Sequence, residues 1–169
     1  MDNEERKLRK DSCAPLNEKA WNDLAYEAWC AKYGNPCEVA LKIMKIPEKT
    51  IGVLLEEFGE LKGKKVANLM GSYGMKALAL ARLGAEVTVI DFSEGNKRYA
   101  EELSGEMKTP IHYRNCVRKP IPSLPGFSRG MNDVLSNVTE VPDSELTGDY
   151  DIIFAEMGIL HYFSDLTPY

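Results

Sequence analysis

The stretch "VANLMGSYGMKALALARLGAEVTVIDFS", residues 66–93, limits the possible folds of this chain more than any other segment. It begins with "KKVANLM", a short and mostly apolar run of the kind found in strands buried on both faces. "MKALALARLG" is rich in Ala and Leu and stops at Gly84, so it predicts a helix. "EVTVID" is β-branched and predicts a second strand. Strand, helix and strand in that order imply parallel pairing through a right-handed crossover. Gly71 and Gly74 fall where the first strand ends and the helix begins. Backbone N–H groups at such a point carry the positive end of the helix dipole and favour a carboxylate or phosphate. Gly74 opens the helix, where the missing side chain allows close backbone approach. Asp91 ends the second strand, 20 residues after Gly71. At that spacing an acid can accept hydrogen bonds from ribose hydroxyls. The competing reading is a plain turn followed by an acid that only caps the next helix. Asp91 follows a β-branched run and precedes an aromatic, so it is expected to emerge at the rim where open α/β sheets hold ligands.

The rest of the chain extends this pattern. Residues 1–16 mix both charge signs and read as a solvated arm. Residues 17–60 read as a helical cap. Trp21, Leu24, Ala25 and Ala28 recur at helical spacing, with Asn17 as cap and Gly34 as stop. In "NPCE", Asn35 can cap, Pro36 can take the first helical position and Glu38 follows three residues after the cap, giving a helix that stops near Pro47. A third helix carries Ile51, Leu54, Leu55 and Phe58 on one face and ends at Gly59. Residues 61–169 form the core unit. After Asp91, Ser93 can cap a helix over 94–105, and "IHYRN" and "DIIFAE" read as two more strands. Alternating strands and helices give an α/β class: Rossmann-like, a mostly parallel sheet with flanking helices. Residues 117–132, "VRKPIPSLPGFSRGMN", hold three prolines and two glycines and read as an inserted loop.

Composition excludes several functions. A chain of 169 residues suits one domain. The net charge of -5 argues against wrapping nucleic acid. No apolar run reaches the about 18 residues of a membrane span, and the charged start "MDNEERKLRK" is not a secretory signal. Cys13, Cys30, Cys37 and Cys116 form no CxxC pair and read as reduced thiols of a cytoplasmic protein. No metal-binding cluster is visible.

The segment 66–93 resembles the core of class I S-adenosylmethionine-dependent methyltransferases, and the resemblance runs from about Trp21 to the C-terminus with the insertion set aside. In that family the first strand usually ends in an acid followed by a G-x-G-x-G turn. Aligned on the helix, Asn68 stands at the acid, Met70 and Ser72 at the first two glycines, and Gly74 at the third. "VTVIDFSEGN" is similar to the second motif, which implies Asp91 on the ribose and Phe92 beside the adenine. "NDVLSNV" is similar to the third, placing Asp133 and Val134 near the adenine amino group. "DIIFAEMGILHYF" is similar to the fourth strand and its sequel, with Glu156 and Met157 beside the methionine part. The implied cofactor is S-adenosylmethionine, with S-adenosylhomocysteine as product, held also by Gly71, Ser72 and Tyr73. Asn68 can hydrogen-bond but cannot pair as a charge with the cofactor's ammonium. Gly71, between Met70 and Ser72, is expected to restore freedom through a different turn, with cofactor binding kept but weakened.

The resemblance implies a methyltransferase acting on a small-molecule acceptor by direct displacement. The alternative is a non-catalytic or truncated binding module working through a partner chain. A nicotinamide-dinucleotide enzyme fits less well, since "MGSYG" lacks the G-x-G-x-x-G pattern. The family's sheet usually has seven strands, and this chain is expected to lack the last of them. The fourth strand is therefore expected to be an exposed apolar edge that pairs with a second copy, by dimerisation or strand exchange, or else leaves a poorly stable fragment. His161 can be read as a general base or as a structural histidine. Glu156 can be read as facing the cofactor or substrate at its strand's end. Trp21, Tyr26 and Trp29 can be read as core or as a lid over the cofactor. His112 receives no role.

Overall fold

The computed structural model describes residues 23–115 and 149–156. The described part of the first helix, α1, covers 23–33 and stops at Gly34, whose φ of 106° suits glycine. α2 (Pro36–Lys45) starts as the sequence predicts: Pro36 opens it, and the Asn35 side chain accepts the Glu38 N–H at 3.0 Å. The single helix expected up to Gly59 is instead two, α3 (Pro47–Ile51) and α4 (Leu54–Phe58). Gly52 divides them at a φ of 65°, a left-handed turn that glycine enters without strain.

The core begins with β1 (Lys65–Leu69), followed by α5 (Met75–Arg82), β2 (Glu86–Asp91), α6 (Glu94–Met107), β3 (His112–Asn115) and β4 (Ile152–Ala155). The strands form one sheet in the order β3-β2-β1-β4, every pair parallel. This is the doubly wound, Rossmann-like order, with the chain reversing its direction of travel across the sheet at β1. The register aligns Val66 with Val87 and Ile152, and Val89 with Tyr113, so these side chains share one face. On that face they join Ala77, Leu78, Leu80, Tyr99 and Leu103 from α5 and α6 and Val39 and Ile43 from α2 in one apolar cluster. Each fully buried aliphatic side chain there contributes about 1.5–3 kcal/mol. α6 turns Tyr99, Leu103 and Met107 inward at helical spacing. Its Ser93 hydroxyl caps the helix by accepting the Asn96 N–H at 3.1 Å. The Tyr99 hydroxyl donates to the Gly34 carbonyl at 2.8 Å, tying α6 to the end of α1.

The arm at 1–16, the insertion at 117–132, and the residues Trp21, Cys13 and Cys116 lie outside the described residues. Among the described residues, Cys30 and Cys37 are free thiols, and no helix is long and apolar enough to cross a membrane.

Candidate functional site

The loop 70–74 leaves β1 where the direction of travel reverses, the place where open α/β sheets hold ligands. Its backbone is unusual. Met70 has a φ of 48°, Ser72 of 52° and Gly74 of 76°, so three alternate residues are left-handed and two of them carry side chains. The different turn expected around Gly71 does not occur. Gly71 is not among the left-handed residues; it is needed for space. A Cβ there would lie 2.5 Å from the Asn68 Oδ1 and 2.7 Å from the Val89 Cγ1. At Gly74 a Cβ would lie 2.9 Å from the Ala100 Cβ on α6, so the missing side chain there makes room for that helix.

Asp91 stands at the end of β2 as predicted, but it is covered rather than open at the rim, with 4% exposure. One carboxylate oxygen accepts the Ser72 N–H at 2.9 Å. The other accepts the Ser93 N–H at 2.9 Å and the Asn96 amide at 3.2 Å. Burial raises the carboxyl above its usual range, against the pull of these donors. The orientation of Asn96 is set from its far side: Trp29 Nε1 donates to its Oδ1 at 2.7 Å, which leaves the amide nitrogen for Asp91. The Ser72 carbonyl accepts the Tyr113 hydroxyl at 2.8 Å. Ser72 is thus held through both its backbone groups, by β2 and by β3. A carboxylate has lone pairs beyond those used here, so Asp91 can still accept from a hydroxyl at the strand end.

Asn68 lies beneath this loop at 0% exposure, and neither its Oδ1 nor its Nδ2 has a hydrogen-bond partner. An orphaned amide costs about 1–3 kcal/mol, and a polar ligand group would satisfy it. Tyr73 turns toward α1: its ring centroid lies 4.3 Å from that of Trp29 and 5.1 Å from that of Tyr33. Burial first, then its bond to Tyr33, pushes the Tyr73 phenol above its usual range. That bond is the main cause holding Tyr33 below its own. Of the two readings of the α1 aromatics, Trp29 packs on the loop and hydrogen-bonds to α6. Tyr26 donates to the Glu102 carboxylate at 2.5 Å. Phe92, half-buried, follows Asp91. Glu156, just beyond β4, forms an ion pair with Lys76 of α5, which ties the end of β4 to the helix that follows β1.

The structure therefore gathers Asn68, Gly71, Ser72, Tyr73, Gly74, Asp91 and Phe92 at the C-terminal ends of β1 and β2, with Glu156 linked to them through Lys76. Asp133, Val134, Met157 and His161 lie outside the described residues. Sequence reasoning missed Tyr113, Asn96 and Lys76. A signal for Tyr113 existed: strand alternation in "IHYRN" puts it opposite His112 and Arg114, which are exposed. Among the described residues no cluster of His, Cys, Asp and Glu could hold a metal.

No protein-family model and no curated protein matches the chain. Solved structures do match, at low identity in the cases that follow. The magnesium protoporphyrin IX methyltransferase of Synechocystis with bound SAM is 17% identical, over 93% of this chain and 78% of that one, at a TM-score of 0.47. A SAM-dependent methyltransferase of Agrobacterium tumefaciens is 22% identical, over 69% of this chain and 31% of that one, at a TM-score of 0.37. A phosphoethanolamine N-methyltransferase of Haemonchus contortus is 18% identical, over 68% of this chain and 22% of that one, at a TM-score of 0.41. The chain spans less than a third of the last two proteins.

Proposed function

We propose that the chain binds S-adenosylmethionine at the ends of β1 and β2 and passes its methyl group to a small-molecule acceptor. The observation that carries this reading is the backbone of residues 70–74. Three alternate residues hold the left-handed conformation, two of them without glycine, and the loop is bonded to a buried acid at the next strand's end. A strained backbone of this kind persists only where its surroundings hold it, and such strain clusters at ligand sites.

The residues present fit the cofactor. Asn68 offers a buried, unpartnered amide beneath the loop, able to take a donor or an acceptor. Asp91 keeps acceptor capacity for ribose hydroxyls, and Phe92 offers a flat apolar surface beside it. Glu156, paired with Lys76, puts a carboxylate just beyond the end of β4. Bound here, S-adenosylmethionine supplies an electrophilic methyl group. The chain's own part is to bind and align, which is most of what a displacement with a good leaving group needs. Asp133, Val134, Met157 and His161 enter the proposal on the sequence resemblance alone, His161 as the base for an acceptor that must lose a proton.

Calorimetric titration with S-adenosylmethionine, S-adenosylhomocysteine and NAD tests this reading. Binding of the first two is expected, and binding of NAD alone overturns it. Asn68→Leu gives a second check. Removing the orphaned amide should stabilise the free protein by about 1 kcal/mol while weakening S-adenosylmethionine binding. Unchanged affinity removes Asn68 from the site.

A further inference from the structure

Two residues of the loop 70–74 sit in a backbone region that side chains rarely adopt, and something must hold them there. The contacts of Ser72 show what does. Its N–H donates to Asp91 on β2 at 2.9 Å, and its carbonyl accepts from the Tyr113 hydroxyl on β3 at 2.8 Å. Both groups come from the same face of the sheet, because the register places Val89 beside Tyr113 and strand alternation puts Asp91 on the side of Val89. Asp91 is fixed in turn by Ser93 and by Asn96, which Trp29 orients. The strained residue is therefore gripped on both sides of its α-carbon by side chains anchored in a rigid sheet.

We propose that Tyr113 is a positioning residue that, together with Asp91, clamps Ser72 in the left-handed conformation and so does for this loop what a glycine would otherwise do. Tyr113 acts through the loop, by its bond to the Ser72 carbonyl. Tyr113 and Asp91 divide the work: the acid fixes the N–H and the phenol fixes the carbonyl. Without the phenol, Ser72 can relax toward an ordinary φ by swinging its carbonyl, and the loop loses the shape that the strand end presents. For its bearing on cofactor binding this inference rests on the proposed function; the clamp itself does not.

The test combines Tyr113→Phe and Ser72→Gly in the full chain, read by amide hydrogen exchange without ligand and by calorimetry with S-adenosylhomocysteine. Tyr113→Phe removes one oxygen and keeps the ring, so the fold is retained. In the unliganded protein, the Ser72 and Gly74 amides, bonded to Asp91 and to the Gly71 carbonyl, should exchange about fivefold faster in Tyr113→Phe, while those of Val66 and Val89 stay unchanged. S-adenosylhomocysteine affinity should fall about fivefold in Tyr113→Phe. In the Ser72→Gly background the same change should cost less than about twofold, since glycine holds the conformation without help. Equal losses in both backgrounds, or loop exchange that does not change, overturn the clamp. If the chain binds no S-adenosylhomocysteine at all, the exchange rates still decide the clamp, and only the proposed function fails.

Discussion

A serine at a φ of 52° carries strain that glycine would not. Left-handed backbone costs a side-chain-bearing residue about 1–2 kcal/mol, and glycine loses about 0.5–1 kcal/mol of that advantage to chain entropy. Ser72→Gly is therefore expected to raise stability by about 0.5 kcal/mol, seen as a higher urea midpoint at unchanged slope. Asp91 gives a pH-dependent prediction. Burial raises its folded-state value, so the acid binds its proton more tightly folded than unfolded. Its stabilising contribution is then fully present below the unfolded value and is lost as pH rises through the folded one. Against Asp91→Asn, the native protein should gain relative stability as pH falls from neutral into the acid range; urea titrations at the two ends check the sign. For ligand binding the same acid works in the opposite sense. The ionised carboxylate accepts hydroxyl hydrogen bonds, so affinity for the nucleoside should begin to fall above the ordinary aspartate range on acidification. Asp91→Ala should weaken nucleoside binding strongly at neutral pH, and unchanged affinity would take Asp91 out of the site.

Two glycines on neighbouring elements predict opposite outcomes. At Gly74 a Cβ would meet the Ala100 Cβ at 2.9 Å, and the φ of 76° is unfavourable to a side chain. Gly74→Ala should push α5 away from α6 and destabilise the fold by about 2–3 kcal/mol. At Gly105, inside α6, a Cβ meets nothing within 4 Å. Gly105→Ala should stabilise by about 0.5–1 kcal/mol. Thermal unfolding of the pair measures both, and similar shifts would contradict the packing described here. The elements also show where local signals suffice. Asn35, Pro36 and Ser93 predict helix starts that the structure places as expected, because a cap is a contact between residues three apart. Gly52 breaks a helix whose apolar face continues through it, and periodicity alone gives no sign of the break.

At the scale of the molecule, β4 is one of the two edge strands of the described sheet, β3 being the other, and Ile153 on it is 64% exposed. Pairing of this edge with a second copy is a proposal that sizing in solution can check. It predicts a species of twice the chain mass at micromolar concentration, and a well-folded monomer counts against it. The sequence by itself determined the α/β class, the strands and helices around the loop, and the position of Asp91 at a strand end. Those features follow from periods of two and three to four residues and from caps and breakers within one turn. Only the tertiary structure decided the state of the site. It covered Asp91, left the Asn68 amide without a partner, turned Tyr73 toward Trp29, and brought Tyr113 to Ser72 across 41 residues of chain. The physical reason is that burial and hydrogen-bond pairing depend on strand order and register, and these bring together residues whose own neighbours in sequence carry no trace of the contact.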